Sequence, residues 1–450
     1  MRTPIKWVAW LFLWLALCMG TRAAASPRQE PHWSSRAFPG CHFFKHSYPL
    51  CKLLESQRRV VDEGVAEYSY TLQVGVGRHD VITVHRVVEE VLPGLPRLAS
   101  RAVFLVHGDI WGFRGAFLAS LTSSAVPRGK SLALYLARQG LDVWGIDLRW
   151  VHVPPYTEDF TFMKNWNLEM HVQDVRIAMQ VARTVRALGL KSSGAMPLLG
   201  WSRGATIGYA LLNLETNLPL EERQVSAFVP VDMAYSLGAD SHAAASTCQA
   251  YQALALRYTE GMYVDVNGQV LQDLGAFANA APSLPSPLLQ GLTNRQAALV
   301  AGAATYRLQP EPLFGWYHFT GGPFENFMPM TTAWTQERFL FDTMEQASSF
   351  QSIGEQLETL AMWCGAPKLP YNDRLRLVTV PVFYVGAAGG MGRLGLSTLL
   401  QLGSKDLSAY IVQRMSDQDQ QMDYGHADLL LASDADTEVW PRIADWFARH

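Results

Sequence analysis

The segment Leu198-Leu199-Gly200-Trp201-Ser202-Arg203-Gly204-Ala205 sets a serine between two glycines, after an apolar run and before a helix-forming one. This G-x-S-x-G spacing has a physical reason. The serine must sit on a tight, strained turn, and only small flanking residues let strand and helix approach closely enough. The turn lifts the hydroxyl to the carboxyl edge of a sheet, where ligands bind in open α/β folds. The amide of Arg203, at the start of the following helix, can then face a developing oxyanion. Ser202 is therefore the expected nucleophile. A bare pentapeptide would say little; the strand before it and the helix after it give it weight. Ala234-Tyr235-Ser236-Leu237-Gly238 is a looser match, with alanine for the first glycine and no clean helix after it, so Ser236 is a poor second.

With Phe104-Leu105-Val106-His107-Gly108, an apolar run ending in His-Gly, the elbow makes residues 67–450 resemble the α/β-hydrolase superfamily, of the serine hydrolase or esterase–lipase type. The resemblance implies that the loop after His-Gly supplies a second oxyanion donor, by position the backbone of Asp109 or of Ile110. A carboxylate there would repel an oxyanion, so the Asp109 side chain must point away or be paired, with Arg114 and Arg149 as candidate partners. His107 is expected to be structural. The resemblance also places the general base after the last strand, where Tyr424-Gly425-His426-Ala427-Asp428-Leu429-Leu430 puts His426. A base is needed because a serine hydroxyl is a poor nucleophile until its proton is taken.

The acid departs from the majority pattern. Most relatives carry it after the penultimate strand, but Gly386-Ala387-Ala388-Gly389-Gly390-Met391-Gly392 holds no carboxylate. Some relatives place it after the strand that follows the nucleophile. Phe228-Val229-Pro230-Val231-Asp232 puts Asp232 there and keeps the order Ser, Asp, His. Asp417, Asp419 and Asp423 are the fallbacks.

Strands and helices alternate along the chain as a parallel sheet requires. Strands are expected at 67–76, 81–88, 101–106, 141–146, 195–199, 225–231, 377–385 and 407–412. Helices are expected at 132–138, 171–188, 205–212 and 439–450. In the longest of these, Val172, Val175, Met179, Ala182 and Val185 recur at helical spacing, and Gly189 closes it. Between Asp232 and Leu377 the rhythm breaks. A stretch that long needs structure of its own, and it reads as an inserted, mostly helical cap. Its Trp316, Tyr317, Phe319, Phe324, Phe327, Met328, Met330, Trp334 and Trp363 are more often core than substrate contacts. The segment 161–166 is a further candidate for the pocket mouth.

The expected organisation is a signal peptide over 1–25, an N-terminal extension over 26–65, hydrolase core over 66–234, cap over 235–376 and core again over 377–450. Arg2 and Lys6 precede the apolar run Trp7–Met19, and Ala23-Ala24-Ala25 offers a cleavage site. The run is too short to span a bilayer, so export is expected, to the periplasm or the exterior, with no membrane span after cleavage. The mature chain keeps Cys41, Cys51, Cys248 and Cys364, expected to pair 41–51 and 248–364. A net charge of -3 gives no reason to expect nucleic acid, and no cysteine–histidine spacing suggests zinc.

The expectation is thus an α/β-hydrolase fold, a doubly wound, mostly parallel sheet with an inserted helical cap. It would cleave a small-molecule carboxylic ester with an apolar part through an acyl-enzyme. Ser202, His426 and Asp232 would do the chemistry, the amides of Asp109 and Arg203 would hold the oxyanion, and no metal or cofactor is implied. Amide or carbon–carbon bond hydrolysis on the same fold is the first alternative, and a non-catalytic binding protein the second.

Overall fold

A computed structural model of the protein describes residues 51–189, 194–237, 242–308, 314–365 and 369–450. The expected signal segment and Cys41 lie outside them.

A 10-stranded sheet organises the chain. Its strands are β1 (Lys52–Asp62), β2 (Val65–Gln73), β3 (Val81–Leu92), β4 (Ala102–Val106), β5 (Asp142–Asp147), β6 (Met196–Trp201), β7 (Val225–Val231), β8 (Val382–Ala387) and β9 (Leu407–Val412). The short strand Leu95–Pro96 pairs with the end of β3. In space the order is β1-β2-β3-β5-β4-β6-β7-β8-β9. The first three strands form an antiparallel meander that joins β5 antiparallel, and from β5 to β9 every pairing is parallel.

The central strands read as unbroken apolar runs because both sheet faces are covered. Alternate side chains of one strand enter two cores. Phe104 and Val106 of β4 join Leu198 and Phe228 on one face. There they pack under helices α2 (Leu168–Leu188) and α3 (Arg203–Glu215). Val103 and Leu105 join Leu199, Val229 and Val231 on the other, under α1 (Leu132–Arg138) and α9 (Trp440–Arg449). Helix α2 starts where the Asn167 side chain accepts the Met170 amide at 3.0 Å and stops at Gly189.

One boundary departs from the sequence reading. Residues 52–62, expected within the N-terminal extension, form β1 and pair with β2. The reason is exposure: Glu55–Val60 of this edge strand face solvent, so no buried face imprinted a period of two on the sequence. At the other end, β8 begins only at Val382, because 375–377 form a short helical turn.

Between β7 and β8 run helices α4 (His242–Thr259), α5 (Asn267–Ala280), α6 (Asn294–Ala303), α7 (Glu337–Met344) and α8 (Ile353–Trp363). Leu274, Leu299, Leu340, Phe341 and Met344 give α5, α6 and α7 a core of their own. Cys248 of α4 is disulfide-bonded to Cys364, just past α8. Cys51 is disulfide-bonded as well.

Candidate active site

Register decides which residues meet. Val106 pairs with Gly200, Trp201 with Val231, and Val231 with Val385. The carboxyl ends of β4, β6, β7 and β8 are therefore level, and the chain leaves them through Gly108, Ser202, Asp232 and Ala388.

The turn at Ser202 is strained, with φ +57° and ψ −125°. Its neighbours explain why the strain holds. A Cβ on Gly200 would lie 2.3 Å from the Gly204 carbonyl oxygen, and one on Gly204 would lie 2.1 Å from that of Val106. The Ser202 amide still reaches the Val231 carbonyl at 2.9 Å, so the ladder clamps the turn.

Asp232 follows β7 and is fully buried, with φ +48°. Its Oδ2 lies 2.6 Å from Nδ1 of His426. The rest of the carboxylate is occupied by the carboxylate-free loop after β8. The amides of Ala387 and Gly392 donate to Oδ1 at 2.8 and 3.0 Å, and that of Met391 to Oδ2 at 3.0 Å. A Cβ on Gly390 would fall 2.0 Å from Oδ2. The loop that lacks an acid is thus shaped to hold one.

The three fallback aspartates are engaged elsewhere. Asp417 pairs with Arg393 at 3.3 Å on the surface, and Asp419 accepts from Ser416 at 2.9 Å. Asp423 accepts the amides of Arg414 and Tyr424 at 2.8 and 2.6 Å.

His426 is buried in an aromatic surround. Trp201 stacks on its ring with centroids 5.2 Å apart, and Tyr317 lies 5.5 Å away. The segment 316–321 between α6 and α7 forms the bed of its loop. The amides of His426 and Ala427 donate to the carbonyls of His318 and Phe319 at 3.1 and 2.7 Å. Asp428 then accepts the amides of Gly321 and Gly425, each at 2.7 Å.

Ser202 and His426 open onto one cavity of about 1140 Å³. No hydrogen bond joins the two side chains among the described residues, and such geometry does not disqualify a serine–histidine pair, whose contact tightens in a Michaelis complex. Ser236 does not line this cavity. Of the nine aromatic and methionine residues singled out between Asp232 and Leu377, Tyr317 and Phe319 line it; of 161–166, Thr161 does. Lys164 and Asn165 line a separate cavity of about 530 Å³ instead, while Met163 and Trp166 are core.

Gly108 lies against the elbow serine: a Cβ there would sit 2.8 Å from that of Ser202. This brings the Gly108–Asp109 backbone alongside the elbow, while Arg203 opens α3, where first-turn amides have no helical acceptor. His107 braces the turn. It accepts the Leu148 amide on Nε2 at 3.2 Å, so its Nδ1–H faces the Gly108 carbonyl at 2.9 Å. Burial lowers its pKa to about 4, which keeps it neutral.

The Asp109 side chain is paired, but with neither expected arginine. Arg114 is bound to Glu67 at 2.9 Å and Arg149 to Asp174 at 2.7 Å. Asp109 is instead held by Arg203, whose Nε and Nη2 donate to its two oxygens at 2.9 and 3.1 Å. The reason is the elbow itself, which aims the side chain after Ser202 back toward the His-Gly loop. Sequence reading also gave no sign of Glu355, a fully buried carboxylate on α8 facing Arg203 and His171. Burial pushes its pKa well above the usual carboxylate range, against the pull of Arg203.

No protein-family model matches the chain, and no curated protein sequence matches it. Solved structures do. A provisionally assigned lipase from Sulfolobus solfataricus is similar with a TM-score of 0.58 at 16% identity, over 88% of this chain and 99% of that one. A soluble variant of monoglyceride lipase from Saccharomyces cerevisiae gives 0.44 at 12% identity, over 92% and 99%. The likeness to the Sulfolobus structure, at 16% identity, is one of fold, and it agrees with the strand order and the elbow described above: the chain has the α/β-hydrolase fold.

Proposed function

We propose that this protein is a serine hydrolase that cleaves carboxylic esters through an acyl-enzyme. Ser202 Oγ attacks the ester carbonyl carbon while His426 Nε2 takes its proton. The alkoxide leaves with that proton, and Ser202 carries the acyl group. Water then gives a proton to His426, attacks the acyl carbon and releases the acid, and the proton returns to Ser202. Asp232 holds the Nδ1–H tautomer and offsets the imidazolium charge, and the amides of Asp109 and Arg203 receive the oxyanion. The observation that carries this reading is the 2.6 Å contact between His426 and Asp232 beside a strained serine in a shared cavity.

The cavity supports a substrate with an apolar part. Val270, Leu271, Leu274, Ala301 and Leu308 contribute to its wall, and its volume of about 1140 Å³ suits a ligand of drug or lipid size. Export to an oxidising compartment is supported by the Cys248–Cys364 disulfide. Among the described residues no helix is long and apolar enough to cross a membrane.

A panel of p-nitrophenyl esters and matching p-nitroanilides on the purified protein tests the reaction class. Ester turnover that disappears in Ser202→Ala is expected. Anilide turnover exceeding that of the matched ester would make the protein an amidase instead.

A further inference from the structure

The fork between Asp109 and Arg203 has an unusual position. These are the two residues whose backbone amides are assigned to the oxyanion, so one ion pair between their side chains spans the hole. We propose that Asp109, Arg203 and Glu355 form a clamp that fixes the spacing of the two oxyanion donors and anchors both to helix α8. The inference rests on the reading of Ser202 as nucleophile and adds positioning residues to it.

The geometry has three parts. First, the guanidinium meets both oxygens of Asp109 in parallel, at 2.9 and 3.1 Å. Such a fork fixes orientation as well as distance, which a single contact does not. It also neutralises the carboxylate that would otherwise repel an oxyanion. Secondly, the same guanidinium reaches α8. Its Nε lies 3.1 Å from Glu355 Oε1, and its Nη1 donates to Thr359 Oγ1. Glu355 and Thr359 stand one helical turn apart, on the same face, and the Thr359 hydroxyl also reaches the Glu355 carbonyl at 3.1 Å. Thirdly, both ends of the clamp are tied down. Gln351 donates to Asp109, and Glu355 lies 3.2 Å from Nε2 of His171 on α2.

Arg203 and Glu355 are buried while the Asp109 side chain is 36% exposed, so the fork closes at the cavity edge over a buried base. Glu355 is fully buried and its carboxyl oxygens accept no hydrogen bond among the described residues; its nearest polar neighbours are Arg203 Nε at 3.1 Å and His171 Nε2 at 3.2 Å. A buried charge is tolerated only when paired; here that charge is the Arg203 guanidinium, held by Asp109 with Glu355 beside it. Arg203 cannot move without breaking the fork to Asp109, and its backbone amide cannot move far without its side chain. A donor that is already placed needs no reorganisation when charge develops, which is the condition for oxyanion stabilisation.

Positioning differs from folding in what it changes. Substrate binding in the ground state should not depend on the clamp; stabilisation of the tetrahedral state should. The experiment compares wild type, Ser202→Ala, Asp109→Asn, Glu355→Gln and Thr359→Val on one p-nitrophenyl ester, with thermal melting alongside. It also measures inhibition by a trifluoromethyl ketone, which forms a tetrahedral oxyanion on the serine. In Asp109→Asn, kcat should fall about 10- to 100-fold, less than the cost of deleting a donor, and KM should stay within about twofold. The ketone should weaken in parallel with kcat/KM, and Glu355→Gln and Thr359→Val should show the same pattern with smaller size. Three folded variants that keep kcat and ketone affinity within about twofold of wild type would overturn the clamp while leaving the Ser202 reading intact. Wild-type turnover that survives Ser202→Ala would overturn that reading, and the clamp with it. Because Thr359→Val removes only a hydroxyl, it serves as the probe if either charge variant fails to fold.

Discussion

Asp232 Oδ2 lies 2.6 Å from His426 Nδ1, although 194 residues separate them in the chain. Both arrive there through strand ends, Asp232 directly after β7 and His426 in the loop beyond β9. Between those strands, β8 contributes no acid; its loop wraps the carboxylate of its neighbour with three amides. Four donors around one carboxylate hold it aimed at the imidazole.

That arrangement makes Asp232→Asn a sharp test of the acid. The substitution keeps the shape but removes tautomer control and charge stabilisation, so kcat should fall about 10⁴-fold with the fold intact. Asp417→Asn and Asp419→Asn, which alter exposed pairs, should change turnover far less. Circular dichroism with steady-state kinetics on the three variants checks this.

Gly390→Ala examines the cradle from the other side. The added methyl would fall 2.0 Å from Asp232 Oδ2, so either the loop or the carboxylate must shift. Activity should drop by at least about tenfold, with a lower melting temperature. A variant equal to wild type in both would show that the loop does not hold the carboxylate as described.

The buried histidine on β3 gives a pH signature unrelated to catalysis. His85 sits between Glu67 at 2.8 Å and Asp147 at 2.9 Å. Burial alone would lower its pKa, but the two carboxylates outweigh it and raise the value to about 9. A histidine raised in the folded state stabilises it fully below its unfolded pKa, near 6.5, and that contribution is lost as pH rises through about 9. The difference amounts to about 3 kcal/mol. Urea denaturation across this range should show the loss in wild type, and His85→Gln, weaker at neutral pH, should lack this component of it. An unchanged pH dependence in the variant would count against it.

The disulfide between Cys248 and Cys364 closes a loop of sequence separation 116. In the chain-entropy model such a crosslink contributes about 4–5 kcal/mol, and often less in practice. Peptide mapping without reductant should recover this pair, together with Cys41–Cys51, which lies partly outside the described residues. Cys248→Ser should lower the melting temperature. Finding Cys248 and Cys364 free in exported protein would remove the support for an oxidising compartment.

What could be read from the sequence follows from burial. The parallel strands β4 to β8 are covered on both faces, so their apolar runs stood out, as did the glycine-flanked turn that ends β6. Strand β1 was missed because Glu55–Val60 are exposed and leave no pattern. The empty loop after β8 pointed to a strand end as the source of an acid, because a carboxylate's absence is visible in one dimension. The partner of Asp109 was not visible, since Arg203 reaches it only through the elbow's backbone turn. Tyr317 and Phe319 could not be told from Trp334 or Phe324, because aromatic side chains in core and in cavity walls share composition and spacing.

The central claim is that Ser202 is an activated nucleophile. Treating the purified protein with a fluorophosphonate and mapping the adduct by mass spectrometry tests it most directly. A single adduct on the peptide carrying Ser202, absent in Ser202→Ala and strongly slowed in Asp232→Asn, is the expected result. Labelling that survives Ser202→Ala, at Ser236 or elsewhere, or a folded wild-type protein that takes up no probe, would contradict it.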